Sequence, residues 1–188
     1  MQNAIDTLNL SAEFKKQLST IKLLALDVDG ILTDGRVTYD SAGQEHKSFN
    51  IKDGLGIKLV QKAGIKVAII TGRVSPMVER RSKELGLDYV IQGREDKGTA
   101  LKELSSGSGI SVKEMAYAGD DLPDYQALTL AGIALTVADA HPEIIEIADW
   151  VTPLGGGYGA VRQICDALLI GLNQYTDVTS AFKKQVSS

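Results

Sequence analysis

The sequence predicts an α/β fold with a doubly wound, mainly parallel sheet, because short apolar runs alternate with helical segments along most of the chain. The apolar runs have the length of buried strands, and several end in glycine, threonine or aspartate. Right-handed crossovers between such strands place helices on both faces of the sheet. No repeat and no linker divides the 188 residues, so a single domain is expected.

The first strand is predicted over residues 23–27 and ends in Asp27 and Asp29, followed by Gly30. Carboxylates avoid interiors unless they are paired or bind a metal, so both should lie above the sheet edge, where α/β folds bind ligands. Taken alone, the pair also fits a solvated turn, because Asp and Gly are common turn residues. The remaining motifs have to decide between these interpretations.

The first half of the chain begins with an amphipathic leader, residues 1–20, that predicts a short surface helix. Strands over 36–39 and 45–49 predict a β-hairpin in the insert 31–50. Because an isolated hairpin is marginal in water, it should pack against the domain or another subunit. The following elements are a helix over 57–63 ended by Gly64, a strand over 66–70, and a helix to residue 85 with Ser75 as N-cap and proline at its first position.

The second half of the chain repeats this alternation. Strands are predicted over 89–91, 115–118, 133–135 and 150–151, and helices over 97–105, 123–130, 142–148 and 160–172. Residues 106–109 should form a loop, and Ser111 with Glu114 resembles a capping box. The glycine stretch 155–159 is either a plain linker or a segment that reaches a neighbouring site. The domain should span residues 21–172, and residues 173–188 should form a mobile tail.

Charge and composition argue against several function classes. A net charge of −4 disfavours binding to nucleic acid or to an acidic membrane surface. No segment approaches the ~20 apolar residues that span a bilayer, and the N-terminus lacks the pattern of a signal peptide, so we expect a cytoplasmic protein. Cys165 is the single cysteine, and its apolar neighbours indicate a packed thiol.

Polar or charged side chains follow three of the predicted strands, and a predicted helix between them begins with a lysine. The residues concerned are Asp27, Asp29, Thr71, Gly72, Arg73, Lys97, Asp120 and Asp121. Since parallel strands end at one edge of a sheet, these side chains should converge on one crevice. So many carboxylates stay ionised together only beside a cation. An all-oxygen set suits Mg²⁺, held by Asp27, Asp120 and the backbone carbonyl of Asp29, whereas the absence of His and Cys disfavours zinc.

These residue types fit phosphoryl transfer to an aspartate. Asp27 would attack the phosphorus and form an aspartyl-phosphate. Asp29 would protonate the leaving alkoxide and then deprotonate the water that hydrolyses the intermediate. Thr71 and nearby backbone amides would bind phosphoryl oxygens, and Lys97 would balance the negative charge.

Four ordered motifs resemble those of the haloacid dehalogenase superfamily, in its phosphatase branch. They are Asp27-Val28-Asp29-Gly30, Thr71-Gly72-Arg73, Lys97 and Gly119-Asp120-Asp121, and the resemblance covers roughly residues 23–169. Segments 30–35, 50–54, 138–142 and 156–162 resemble more closely the family of 3-deoxy-D-manno-octulosonate 8-phosphate phosphatases. This resemblance implies Mg²⁺ dependence, no large cap domain, and a homotetramer whose hairpins pack together so that a neighbour covers each site. It also implies a role in making the inner-core sugar of lipopolysaccharide.

The positions that match this family imply a binding site for a sugar-acid phosphate. They are Asp29, Asn50, Ile51, Lys52, Asp53, Gly54, Lys58, Gly72, Arg73, Arg81 and Lys97. Arginine forks suit the carboxylate and the phosphate of such a substrate. Two positions depart from the family pattern, since Gln163 stands where glutamate is expected and Lys58 where arginine is common. On chemistry alone, Arg81 beside Arg80 also fits a solvated helix face, and Asp121 fits a group that supports the metal ligands.

Two functions from other classes, a signalling receiver and an oligomerisation module, share some of these features. A phospho-accepting signalling receiver also uses an acid cluster, a threonine and a lysine, but its acceptor lies on a middle strand, whereas here the Asp27 motif comes first. An idle oligomerisation module would not need the full set of ionisable groups. Among phosphatases, a nine-carbon sugar-acid phosphate is the alternative substrate, and Arg73 after Thr71 and Gly72 favours the eight-carbon acid.

Overall fold

The computed structural model describes residues 8–183 and confirms the predicted α/β fold. Its strands are β1 (Leu23–Leu26), β2 (Thr38–Tyr39), β3 (Glu45–His46), β4 (Lys66–Ile70), β5 (Tyr89–Ile91), β6 (Met115–Ala118), β7 (Ile133–Thr136) and β8 (Trp150–Val151). Six of them form a parallel sheet in the order β5-β4-β1-β6-β7-β8, and β2 with β3 forms the predicted hairpin. The hairpin strands are shorter than the sequence predicts.

Eight helices connect these strands or flank the sheet within residues 8–183. They are α1 (Ala12–Leu18), α2 (Ile51–Lys62), α3 (Pro76–Leu85), α4 (Lys97–Ser108), α5 (Tyr125–Leu130), α6 (Pro142–Ile147), α7 (Ala160–Gly171) and α8 (Tyr175–Lys183). Short 3₁₀ turns at Val112–Glu114 and Leu122–Asp124 precede β6 and α5. In this part of the chain no cap domain accompanies the hairpin, in agreement with the expectation from the sequence.

The core is centred on β1, which pairs with β4 on one side and β6 on the other. All four residues of β1 and all four of β6 are buried, because helices cover both faces of a parallel sheet. On one face, α7 packs closely against α1 and α2. A side chain at Gly171 would come within 2.5 Å of the Leu18 side chain, so glycine permits the contact between α7 and α1.

The predicted start of α2 is wrong by six residues, since the helix begins at Ile51 rather than at residue 57. Asn50 caps it by accepting a hydrogen bond from the Lys52 backbone N–H at 2.9 Å. Gly54 and Gly56 weaken the helical signal in the sequence. Packing explains the second glycine, because a Cβ at Gly56 would lie 3.0–3.2 Å from atoms of Arg162 and Cys165 on α7.

Other predicted boundaries need smaller corrections. Helix α4 continues through residues 106–108, which were expected in a loop, and ends at Gly109 with a φ of +71°. Ser75 occupies the N-cap position of α3, but its hydroxyl makes no capping bond. The helix predicted over 123–130 begins as the 3₁₀ turn and becomes α-helical at Tyr125. The capping box of Ser111 and Glu114 is confirmed.

One end of the chain agrees with the prediction and the other does not. At the N-terminal end, helix α1 agrees with the predicted amphipathic leader, and it buries Phe14 and Leu18. The tail beyond residue 172 contains α8, which buries Val178, where the sequence predicts no helix. The mobility of the tail stays a prediction. Residues 1–7 of the leader and 184–188 of the tail lie outside the described part of the chain.

Candidate active site

A pocket of about 550 Å³ lies at the carboxyl ends of β1 and β4, as the sequence predicts. Its lining residues are Asp27, Asp29, Thr71, Gly72, Arg73, Glu95, Lys97 and Pro123. All except Glu95 and Pro123 are site residues predicted from the sequence. The structure therefore brings together the predicted nucleophile, acid, hydroxyl and lysine from distant parts of the chain.

A cluster of three acidic side chains lies beside this pocket. One carboxylate oxygen each from Asp27, Asp120 and Asp124 lies within 4.8 Å of the other two. Asp27 is 5 % exposed and Asp124 is 1 % exposed. Gly30 makes room for Asp120, because a Cβ at this glycine, whose φ is +100°, would lie 2.0 Å from Asp120 Oδ2. A glycine directly after the Asp27 and Asp29 pair is thus required by the approach of the second acidic motif.

Lys97 is the cation that faces this cluster. Its Nζ lies 2.8 Å from Asp27 Oδ1 and 2.7 Å from Asp124 Oδ1. Burial alone would lower the pKa of this amine, but the charges of Asp27 and Asp124 outweigh that effect and raise the pKa. Lys97 is therefore a fixed positive charge beside the predicted nucleophile.

Asp124 is a site residue that the sequence reasoning missed. Besides Lys97, its Oδ1 accepts a hydrogen bond from the Tyr117 hydroxyl at 2.6 Å. Its Oδ2 accepts the backbone N–H groups of Asp120 at 3.2 Å and Asp121 at 3.4 Å. Because donors occupy both oxygens, Asp124 holds Lys97 and the Asp120 backbone in place. The signal available in the sequence was its position four residues after Asp120.

Asp27 and Asp120 are the groups best suited to hold a cation. Burial, followed by the charge of Asp124, raises the pKa of Asp27 to about 7. Burial, followed by the charges of Asp27 and Asp124, raises the pKa of Asp120 to about 8. Asp120 Oδ1 is buried and has no hydrogen-bond partner among the described residues. An orphaned buried oxygen next to a second carboxylate fits a hard divalent cation, which these oxygens would bind in their ionised form.

Asp29 and Arg73 both form ion pairs with side chains of the hairpin segment. The Lys47 amine contacts Asp29 Oδ1, and the Thr33 hydroxyl lies 3.4 Å from the same oxygen. Arg73 Nη2 donates to Glu45 Oε1 at 2.9 Å. Thr33 belongs to segment 30–35, which resembles the phosphatase family, but no sequence motif singles out Glu45 or Lys47. Only the folding back of the hairpin brings these two to residues that line the pocket.

Thr71 is held by the sheet itself. Its N–H donates to the Ile91 carbonyl at 3.0 Å, and its carbonyl accepts the Arg94 N–H at 3.0 Å. The residue is 2 % exposed. Gly72 follows at the pocket wall, where a Cβ would lie 3.5 Å from the Glu95 side chain. The end of β4 is thus a fixed part of the pocket.

The predicted substrate positions on α2 and α3 do not line this pocket in the single chain. Ile51 is 83 % exposed, and Lys52 is exposed beside it on the first turn of α2. Lys58 Nζ donates to the Leu85 carbonyl at 3.1 Å, at the end of α3. Arg81 lies 6.0 Å above the Phe49 ring, and a Cβ at Gly54 would lie 2.3 Å from its Nη2.

Asn50 and Asp53 bind the glycine-rich segment of their own chain. Asn50 Nδ2 donates to the Gly157 carbonyl at 3.2 Å, and Asp53 Oδ1 accepts the Arg162 N–H at 2.7 Å near the start of α7. Asp53 is 1 % exposed, and burial raises its pKa to about 6 against the effect of the Arg162 bond. Its early position on α2 directs it towards α7.

The glycine stretch 155–159 packs against the loop that follows Asp29. The Gly157 N–H donates to the Ile31 carbonyl at 3.1 Å, and the Gly156 N–H donates to Asp139 Oδ1 at 2.9 Å. A Cβ at Gly156 would lie 1.7 Å from the Gly30 carbonyl oxygen. In the single chain this segment is therefore a close packing element rather than a plain linker.

Two further predicted residues have structural roles. Asp121 is exposed, and its Oδ1 accepts the Leu122 N–H at 2.8 Å as the cap of the 3₁₀ turn. Cys165 is fully buried, and burial raises the pKa of its thiol well above the usual value, which fits the predicted packed thiol. Within residues 8–183, no helix combines the length and the apolar character that crossing a membrane requires.

Comparisons with known proteins agree with this geometry. Residues 90–156 match the family model of haloacid dehalogenase-like hydrolases. The chain is 44 % identical over 161 residues to a 3-deoxy-D-manno-octulosonate 8-phosphate phosphatase of Escherichia coli (strain B / BL21-DE3), covering 86 % of each chain. It is 39 % identical over 164 residues to the protein of the same name from Yersinia pestis, covering 87 % of this chain and 88 % of that one.

Solved structures show the same similarity. The crystal structure of 3-deoxy-D-manno-octulosonate 8-phosphate phosphatase from Moraxella catarrhalis, in complex with magnesium ion, phosphate ion and a KDO molecule, is 43 % identical in sequence. It superposes with a TM-score of 0.90 and covers 92 % of this chain and 99 % of that one. The cobalt-bound form of the Haemophilus influenzae phosphatase is 38 % identical, with a TM-score of 0.84 over 88 % of this chain and 98 % of that one.

Proposed function

The chain belongs to the family of 3-deoxy-D-manno-octulosonate 8-phosphate phosphatases among the haloacid dehalogenase-like hydrolases, and from this premise we propose that it hydrolyses that sugar-acid phosphate. The products are the free sugar acid and phosphate, released in the cytoplasm for the synthesis of lipopolysaccharide. The observation that carries the proposal is the buried contact of Asp27 with Lys97, beside Asp120 at the sheet edge.

In the proposed reaction, Asp27 attacks the phosphorus and the bond to the sugar oxygen breaks. Asp29 gives its proton to the leaving alkoxide and later takes one from the hydrolytic water. Lys97 holds the Asp27 carboxylate, and Thr71 with neighbouring backbone N–H groups binds phosphoryl oxygens. Arg73 and Gly72 lie at the pocket wall, where the sugar acid would enter.

The oxygens of Asp27 and Asp120, with the backbone carbonyl of Asp29, would hold Mg²⁺. The orphaned Asp120 Oδ1 and the crowding of carboxylates support this assignment. When bound, the cation supplies positive charge that neutralises the carboxylates and the phosphate. Asp124 stays outside this set, because donors already occupy both of its oxygens.

We also propose that the active form is a homotetramer in which hairpins pack together and a neighbour completes each site. Apolar side chains on the hairpin and on α2 support this, since Tyr39 is 62 % exposed and Ile51 is 83 % exposed. Arg81 and the exposed Ile51 and Lys52 lie outside the pocket of their own chain, so these three would serve a neighbouring one. Asn50, Asp53, Gly54 and Lys58 make contacts within their own chain and would support this surface from behind. A fully active monomer in a sizing measurement at micromolar concentration would contradict the shared site.

Phosphate release from a panel of phosphorylated sugar acids tests the proposed activity. We expect the eight-carbon substrate to be preferred over the nine-carbon nonulosonate 9-phosphate, and a chelator to abolish turnover. Asp27→Asn should lose at least about a thousandfold in kcat because the nucleophile is gone, while the variant stays folded. The control is Asp177→Asn on α8, which should keep wild-type turnover. Undiminished turnover by Asp27→Asn would refute the assignment of the nucleophile.

A further inference from the structure

Two hairpin side chains that belong to no sequence motif, Lys47 and Glu45, contact residues that line the pocket. We propose that Lys47 is a positioning residue that fixes one oxygen of Asp29, so that the other oxygen is directed at the leaving group. This inference rests on the proposed function, because it concerns how Asp29 acts in that reaction. In this role Lys47 acts through Asp29 and would touch neither the phosphoryl group nor the leaving oxygen.

The burial of Lys47 is the first observation. Its side chain is 2 % exposed, although it follows directly after β3, a strand of a hairpin that extends into solvent. Lysine is almost never buried without a partner, because removing its charge from water is costly. Lys47 has two anionic partners, Asp29 and Glu45, the second at 3.3 Å. The hairpin therefore places a paired, positively charged amine beside the predicted acid, Asp29.

The geometry at Asp29 is the second observation. Lys47 and the Thr33 hydroxyl both reach Oδ1, the latter at 3.4 Å. Among the hydrogen bonds of residues 8–183, none reaches Oδ2. The two oxygens of one carboxylate are thus made unequal, with one held by the hairpin side and the other open for proton transfer.

Glu45 links this arrangement to the substrate side of the pocket. Its Oε1 accepts from Arg73 at 2.9 Å and lies 3.3 Å from Lys47 Nζ. The four side chains form a row of alternating charge in the order Asp29, Lys47, Glu45, Arg73. Because each member contacts the next, the position of the hairpin is coupled to the acid at one end and to the arginine at the other.

The proton balance of the reaction is compatible with this role. As Asp27 forms its bond to phosphorus, the bond from phosphorus to the sugar oxygen breaks, and the proton on Asp29 Oδ2 moves to that oxygen. In the second step a water oxygen bonds to phosphorus, Asp27 leaves, and the water proton moves to Oδ2. Asp29 Oδ1 accepts from Lys47 throughout, and Lys47 keeps all its protons.

The test compares kcat/KM for two substrates in wild type and Lys47→Met. The sugar phosphate has an alkoxide leaving group that needs a proton, whereas p-nitrophenyl phosphate releases a stable phenolate that does not. We expect Lys47→Met to lose about ten- to a hundredfold with the sugar phosphate and less than about threefold with p-nitrophenyl phosphate. Equal losses, or no loss, would overturn the proposal, since a merely structural role affects both substrates alike. A loss with the sugar phosphate that lies in KM alone would also overturn it, because the effect would then pass through Glu45 and Arg73 to sugar binding.

Lys47→Arg and His46→Gln complete the design. Lys47→Arg keeps the cation with a different reach, so we expect a selective loss between wild type and Lys47→Met. If Lys47→Met does not fold, Lys47→Arg decides, and an unchanged ratio of the two substrates overturns the inference. His46→Gln, an exposed neighbour on β3, is the control and should retain the wild-type ratio.

Failure of the proposed substrate is a separate outcome. If the wild type does not hydrolyse the eight-carbon sugar phosphate, the proposed function fails. The Lys47 comparison then uses any alkyl phosphate that the wild type does hydrolyse, because the argument depends only on the leaving group.

Discussion

The two sides of the pocket are held by different means. On the sheet side, Asp27, Lys97, Asp120 and Asp124 form a cluster, the sheet-edge cluster, tied to strands β1 and β6 and helix α4. On the other side, Glu45 and Lys47 come from a hairpin of two-residue strands outside the sheet. The predicted nucleophile is thus attached to the buried central strand of the sheet. The hairpin side depends on ion pairs and, in the proposed assembly, on a neighbouring subunit.

The largest effect is expected from removing the positive charge of Lys97 from the sheet-edge cluster. Lys97→Met leaves Asp27 and Asp124 facing each other without a positive charge. We expect a loss of about a thousandfold in kcat and about 3 kcal/mol in the free energy of unfolding. Kinetics and urea unfolding measure both. Lys102→Met, an exposed lysine on the same helix, is the control, and similar losses in both variants would show that α4 rather than the cluster was perturbed.

A smaller effect is expected where the glycine segment meets the loop after Asp29. Gly156→Ala would bring a Cβ to 1.7 Å from the Gly30 carbonyl oxygen, so the loop must move. We expect a loss of about 2–3 kcal/mol in the free energy of unfolding, together with reduced turnover.

Gly107→Ala on α4 is the matched control for this substitution. Apart from its own stretch of helix, no atom lies within 4 Å of a Cβ built there, and the residue is helical. It should stabilise the protein by about 0.5–1 kcal/mol. Urea unfolding of both variants checks the comparison, and a neutral Gly156→Ala would show that the segment is loosely placed.

The comparison also shows what the sequence could predict. Asp27, Asp29, Thr71, Lys97 and Asp120 were predicted together because the carboxyl ends of parallel strands meet at one edge, whatever the detail of packing. The contacts of Lys47 depend on how a hairpin folds back, which no local pattern encodes.

The errors in the fold prediction have a similar cause. The start of α2 was placed too late because Gly54 and Gly56 weaken the local helical signal, whereas packing against Arg81 and α7 favours small residues there. Helix α8 was missed because its sequence is polar and its stability depends on burying Val178 against the domain. Tertiary contacts decided both cases.

The smallest effect is a pH dependence at Asp53, which links α2 to α7. Its pKa is raised from 3.8 to about 6, so between these values the folded protein binds more protons than the unfolded chain. The stability that Asp53 contributes is therefore complete below pH 3.8 and is lost as the pH rises towards 6.

Asp53→Asn removes this titration. Compared with the variant, the wild type should lose about 1–2 kcal/mol of unfolding free energy between pH 4 and pH 6. Urea unfolding at several pH values measures the difference. Asp177→Asn is the control, and its curve should parallel that of the wild type. Parallel curves for Asp53→Asn would instead place the titration elsewhere.

The most direct test of the central claim, that Asp27 takes up the phosphoryl group, is a rapid-quench experiment with substrate labelled with ³²P. Acid quenching within the first turnover, followed by peptide mapping, locates any label bound to the protein. We predict label on the peptide that contains Asp27 and none in Asp27→Asn. Turnover by the wild type without label on that peptide at any quench time, or label on another peptide, would contradict the account.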